Sequence, residues 1–256
     1  MRGRIYLLFG IILLLGSIAY GDGQAQNSGP KSERCFFYTA KKLGIPILKA
    51  SIRIGNGTAE QGRSLSQIRV SVESLGSLGL FFRMKNRFAS IIDAETCFPV
   101  RYLKTIDQGG LLFHRKQYTQ TLSFDLSHQK VIVEGGGEEK HEISLPAETY
   151  DPLSVFARYY LKEELRPEEE IRVSLYDGIR FRQMVFHSKR EKIRSQVYGE
   201  VESVCLESVT SFSTFGEKEG RIRIWYTMDG KKIPILMELE LPVGNVRFEL
   251  EEVKEG

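Results

Sequence analysis

The residues whose types could carry chemistry are few: four histidines, three cysteines, and one serine placed just after an aspartate. His114, His128, His141 and His187 are scattered. No two stand at the i, i+4 spacing of a helical metal pair or the His-x-His spacing of a strand pair, so no cation site is expected. His128 falls in the turn-like run Leu126-Ser127-His128-Gln129-Lys130, and His141 abuts Glu142 at a strand start. Each reads as a solvated or locally hydrogen-bonded ring. Ser154 closes Asp151-Pro152-Leu153-Ser154 but lacks the Gly-x-Ser-x-Gly elbow that exposes a nucleophile on a strained turn. With no triad partner in sight, both residues read as servants of a helix start, Asp151 as the cap and only secondarily as a general base. Cys35, Cys97 and Cys205 contain no Cys-x-x-Cys pair, which argues against a zinc ribbon or a thioredoxin-like centre. They allow one disulfide with a thiol left over, or three small buried core residues, and the reading adopted is no obligatory disulfide. Gly135-Gly136-Gly137 is no phosphate cradle, because no helix follows and Glu138-Glu139 would repel an anion. No catalytic set, metal or cofactor is expected.

The remaining candidates are apolar. Trp225 and Tyr226 adjoin Ile222 and Ile224 beside a hairpin, while Phe156 and Tyr160 lie on one helix. Core packing is their first reading and contact with a hydrophobic ligand the second. The charges point elsewhere. Lys+Arg 36 against Asp+Glu 33 gives +3, too even for a nucleic-acid binder. Glu163-Glu164 and Glu168-Glu169-Glu170 are consecutive and read as solvated, as does the Lys189-Arg190-Glu191-Lys192 run on an exposed strand or hairpin.

The elements that must position these residues are strands. Apolar residues alternate with polar ones at Ile45–Ile54, Leu65–Val72, Tyr118–Phe124, Val131–Val133, Ile171–Leu175, Arg221–Trp225 and Val246–Leu250. Gly55-Asn56-Gly57, the glycine triplet, Asp177-Gly178 and Asp229-Gly230 punctuate them, the signature of an antiparallel meander. Ser74–Phe82, glycine-laced and apolar, reads as a short helical turn or loop. One helix is convincing, near 151–165: Asp151 caps it, Pro152 suits its first position, and Leu153, Phe156, Tyr160 with Ala157 or Leu161 share a face. The expected fold is mostly β, a single curved antiparallel sheet closing to a barrel-like or half-barrel domain over 33–256, plus that helix and an N-terminal signal helix.

Arg2 and Arg4 precede an uncharged run, Ile5 to Gly21, and Ala19-Tyr20-Gly21 places small residues before Asp22. This is the pattern of a secretory signal peptide over 1–21, with an uncleaved anchor touching the membrane as its rival. No Cys lies near the site, so a lipidated mature N-terminus is not expected. Loss of the two arginines lowers the +3 to +1. Residues 22–32 read as a flexible tail. The expected location is the periplasm of a Gram-negative-type bacterium, possible membrane association included.

These features resemble an exported bacterial family, domain of unknown function 3108. The resemblance is carried by Tyr38, Leu43-Gly44-Ile45-Pro46, Arg87-Phe88-Ala89-Ser90-Ile91-Ile92-Asp93, Phe98-Pro99-Val100-Arg101-Tyr102, Leu145-Pro146 with Asp151-Pro152-Leu153-Ser154, and Ile224-Trp225-Tyr226-Thr227-Met228-Asp229 with Ile233-Pro234-Ile235. It implies a mostly β envelope protein with one helix packed on a curved sheet, and it implies no reaction. Glu168-Glu169-Glu170 departs from the pattern. The leading expectation is a non-enzymatic protein that binds a lipid-like ligand or an envelope protein on the curved sheet. The alternatives are a structural or assembly factor without a small-molecule ligand and an uncharacterised hydrolase.

Overall fold

Each apolar run is stopped by residues that can turn, so the alternation becomes a row of hairpins. The computed structural model describes residues 33–57, 59–60, 62–76, 81–111, 113–212, 218–242 and 244–256. The expected signal helix and tail over 1–32, and positions 77–80 of the glycine-laced segment, lie outside the described residues.

The first meander comprises β1 (Arg34–Lys42), β2 (Ile45–Asn56), β3 (Leu65–Ser74), β4 (Arg83–Asp93), β5 (Pro99–Gly110), β6 (Phe113–Asp125), β7 (Lys130–Gly135) and β8 (Glu138–Ser144). A two-residue β9 (Thr149–Tyr150) and the helix α1 (Pro152–Leu161) lead into the second. That one comprises β10 (Glu170–Tyr176), β11 (Phe181–Ser195), β12 (Gly199–Phe212), β13 (Lys218–Thr227), β14 (Pro234–Leu241) and β15 (Gly244–Glu255). All lie in one sheet, ordered β8-β7-β6-β5-β4-β3-β2-β1-β15-β14-β13-β12-β11-β10-β9. Pairing is antiparallel except between β9 and β10. The first and last strands pair at the centre, from Arg34 opposite Glu255 to Lys42 opposite Val246. Two meanders therefore fan out from a common seam. The sheet stays open, with β8 and β9 as its edges.

Period-two patterning sets the faces. Ile52, Ile68, Phe88 and Phe248 turn inward and are buried, while their neighbours Arg53, Arg69, Arg87 and Arg247 turn outward. The alternation did not single out β14 as a strand, although Met237 and Leu239 alternate there with Glu238 and Glu240.

The helix differs from expectation in two ways. It stops at Leu161 rather than near 165: Lys162 and Glu163 both donate backbone N–H to Arg158 O, and Arg166 precedes Pro167, which disfavours helical backbone there. It is also enclosed on more than one side. Val155 and Tyr159 are buried along with Leu153, Phe156, Ala157 and Tyr160, so α1 sits within the curl of the sheet instead of presenting one face to it. It packs on β3, β4 and β10.

Two glycines show how tightly the turns are built. Gly110 has φ +134° in the β5–β6 turn, and a Cβ there would lie 2.4 Å from Phe81 O of the β3–β4 turn. Gly137, at φ +87°, has open space around it. Urea unfolding should separate them: Gly137→Ala costs about 1 kcal/mol for its backbone alone, whereas Gly110→Ala costs about 3 kcal/mol or more because a backbone oxygen must also move. Equal costs would mean that the two turns do not touch.

Candidate functional site

Because α1 leans on β3, β4 and β10, its other side looks across the interior at β11–β14. The pleat decides what it meets. Ile222, Ile224 and Tyr226 of β13 share the inner face with Leu206 of β12, Met184 and Phe186 of β11, and Met237 and Leu239 of β14. Opposite them stand Pro152, Val155, Phe156 and Tyr159 of α1, with Leu175 of β10. Between these residues lies a cavity of about 60 Å³.

No charged residue lines it. Burial raises the Tyr226 hydroxyl far above its ordinary value, and burial pushes Tyr159 up to about 12 although Arg158 pulls the other way. Both phenols are therefore neutral at physiological pH. The space could hold water by size, but an apolar cavity offers too few partners for water and tends to stay dry. Met184 and Met237 give it a wall that can repack around an irregular guest. Such an arrangement can bind an alkyl chain. Its titratable side chains are the two neutral phenols, Tyr159 and Tyr226.

The helix that forms one wall is fixed at its first turn. Asp151 Oδ1 accepts from the N–H of Leu153 (2.7 Å) and Ser154 (3.1 Å). Its Oδ2 accepts from Ser90 Oγ of β4 at 2.7 Å. Ser154 Oγ accepts from Asp151 N and donates to Asp151 O, both at 2.9 Å, which completes a capping box. Burial of the carboxyl outweighs these hydrogen bonds and pushes its pKa up to about 6. Asp151 is thus the cap expected, and in addition the tie between α1 and β4.

Of the four apolar candidates, the structure brings Phe156 and Tyr226 to the cavity. The other two lie outside it. Trp225 neighbours Tyr226 on a strand and so faces the opposite side of the sheet. There it is buried beside Cys205 and Leu236, and its indole donates to Glu191 Oε2 at 2.7 Å. Tyr160 stacks on Phe156 with ring centroids 6.1 Å apart, but its hydroxyl points away, accepting from Arg34 Nη1 at 2.7 Å. Val155, Tyr159, Met184, Phe186, Leu206, Met237 and Leu239 were not expected; the alternation of β14 could have revealed the last pair.

The remaining sequence candidates stay apart. His128 bonds Asp125 in the β6–β7 turn (2.7 Å), His141 faces Glu139 O (2.9 Å), and His187 is exposed on β11. The side chain of His114 lies outside the described residues. Among the described residues no group of histidine, cysteine and carboxylate side chains could hold a metal ion, and no helix is long and apolar enough to cross a membrane. The three thiols stand on β1, in the β4–β5 turn and on β12, and burial pushes Cys205 up to about 12. Glu163 pairs with Arg158 and Glu164 with Arg166. The glycine triplet forms the β7–β8 turn.

A family model described as Protein of unknown function (DUF3108) matches residues 37–251. No curated protein matches the sequence. Among solved structures, the crystal structure of a beta-barrel-like protein of domain of unknown function DUF1849 from Brucella abortus is similar. It has a TM-score of 0.57 and 11% identity, and the match covers 88% of this chain and 98% of that one. At this identity the likeness is one of fold.

The elevated Asp151 carboxyl has a measurable consequence. Its folded pKa of about 6 lies above its unfolded value, so the folded state binds the proton more tightly. The stabilisation is fully present below about pH 4 and is lost as pH rises through 6. Asp151→Asn keeps the amide-accepting oxygen and cannot titrate. Relative to that variant, the wild type should gain about 2 kcal/mol of unfolding free energy between pH 7 and pH 4. A difference that stays flat across this range would show that the carboxyl is not desolvated.

Proposed function

The chain belongs to the DUF3108 family of proteins of unknown function, and we propose that this member is a non-enzymatic, exported cell-envelope protein. In this reading it carries a hydrophobic or amphipathic ligand between α1 and the inner face of β10–β14. The single observation that supports it is the cavity, whose thirteen lining residues include no charged side chain. Its present volume suits one segment of a hydrocarbon chain, well below the several hundred Å³ that enclose a whole small molecule. A longer chain is admitted by repacking of Met184, Met237 and the phenylalanines, with α1 kept in place by Asp151 and Ser90. The periplasmic location rests on the signal-like segment at 1–21. Ser154 favours this reading over a hydrolase, because its hydroxyl is engaged with the backbone of Asp151 on both sides.

Displacement of a fluorescent fatty-acid probe tests the reading. Val155→Phe or Leu239→Phe would fill the space and should weaken probe binding at least tenfold, with melting temperature held within a few degrees of the wild type. Two variants at facing walls guard against overpacking in either one. Trp225, the only tryptophan, should keep its emission on ligand addition because it lies on the other face. Unchanged probe affinity in both folded variants, or no probe binding by the wild type, would remove the proposal. Native mass spectrometry of protein drawn from its own envelope should then show a bound lipid-sized mass.

A further inference from the structure

We infer that the hairpin tips at one end of the sheet dock on an anionic lipid surface. The β1–β2, β3–β4 and β5–β6 turns all fall at that end, since each joins a strand to its antiparallel neighbour in the same sense; the β7–β8 turn at the sheet's edge does too, and its exposed Glu139 bounds the apolar set on that side. At their tips stand Leu43 (90% exposed), Ile45, Phe81 and Leu111 (72% exposed). The tips are contiguous: Leu75 N–H donates to Ile47 O at 3.2 Å, and the Gly110 backbone lies against Phe81 O. The β10–β11 turn, at the same end of the second meander, adds Ile179 and Phe181, both exposed. Single exposed apolar residues are ordinary on a protein surface; a set of them on successive tips is not.

Leu43 carries a second sign. It has φ +52° beside Gly44 at φ +79°, the two left-handed positions of a two-residue hairpin turn that asparagine and glycine fill without strain. A leucine there is disfavoured by its backbone and again by its exposure. A side chain this exposed gains little from burial within the described residues, so the gain is placed outside the fold.

Charge decides between occupants. Lys42 and Arg115 flank the apolar tips and form no ion pair among the described residues, while Arg83 is neutralised by Asp107 at 2.8 Å. Apolar tips with cations set just behind them match a lipid interface, where side chains enter the acyl boundary and cations meet the headgroups. A second copy on a two-fold axis would instead bring this same positively flanked patch against itself. The inference does not depend on whether the cavity takes a ligand.

Co-sedimentation with phosphatidylcholine vesicles, with and without phosphatidylglycerol, tests it on protein purified from its own envelope. The wild type should bind the anionic vesicles, and added salt should weaken that binding. Leu43→Asn with Leu111→Ser should reduce partitioning at least tenfold while leaving the melting temperature equal or higher, because asparagine relieves the turn. Lys42→Glu with Arg115→Glu should lose at least about fivefold per position and flatten the salt dependence. Fatty-acid probe binding without vesicles should be the same in all of these variants, which separates this inference from the ligand reading. It is overturned if the wild type ignores anionic vesicles, or if the variants bind as well as it does. A concentration-dependent dimer abolished by the same substitutions would likewise overturn it and assign the face to a second copy.

Discussion

The pairing of the first strand with the last governs this architecture. With β1 and β15 joined at the centre, each meander must curl away from the seam, and the chain can pass from one free edge to the other only through the segment between β8 and β10. A curled sheet with an apolar inner face needs something inside it. The only helix among the described residues lies in that connecting segment, so α1 becomes the filler of the interior as a consequence of connectivity. The edges remain unjoined, but the contents of the curl do what strand pairing would do in a closed barrel.

Filling an interior with a ten-residue helix creates an electrostatic difficulty at its start. The first amides need acceptors, and here they are buried with no access to solvent. A carboxylate satisfies two of them and a serine from β4 satisfies the carboxylate, yet desolvation still dominates, since three donated hydrogen bonds replace only part of the lost hydration. The same group therefore holds the helix in place and carries a cost that neutral asparagine would not. That cost is tolerable because losing the cap altogether would leave two buried N–H groups without partners.

Local chemistry was legible in the sequence and long-range placement was not. The start of α1 could be read because Asp151, Pro152 and Ser154 act within one turn of one another. Strands with strict alternation, such as Arg221–Trp225, could be read for the same reason. The parity of Trp225 and Tyr226 could not: adjacent strand residues must face opposite sides, but which side is interior depends on how the whole sheet curls, and the register shifts between these two residues. The direction of the Tyr160 hydroxyl was hidden by a similar limit, because its ring belongs to the helix and its hydroxyl to Arg34, far away in sequence. The enclosure of α1 on more than one side follows from the β1–β15 seam, a contact between opposite ends of the fold that no window of sequence contains.

The interior is divided by polarity, which bears on where the apolar cavity beside α1 lies. The inner face of the first meander carries the buried polar residues Asn86, Lys104, Gln108 and Gln120. Lys104 Nζ reaches across to donate to Asp177 O at 2.9 Å in the β10–β11 turn. Gly178 follows, so close that a Cβ on it would lie 2.5 Å from Gln120 Oε1 and 3.1 Å from Lys104 Nζ. That side has to be filled to the atom, because looseness around a buried ammonium group weakens the bonds that make its burial tolerable. Even so, Asn86 Nδ2 and Gln120 Oε1 have no protein partner among the described residues, a sign of how hard such a region is to satisfy. The second meander has no such constraint. A void between aliphatic walls forfeits only dispersion contacts, each individually small, so imperfect packing persists there at modest cost. Polarity on one side thus rigidifies the fold and closes the β10–β11 turn against β5 and β6, and apolarity on the other leaves the only kind of space that a hydrocarbon could enter without displacing a hydrogen bond.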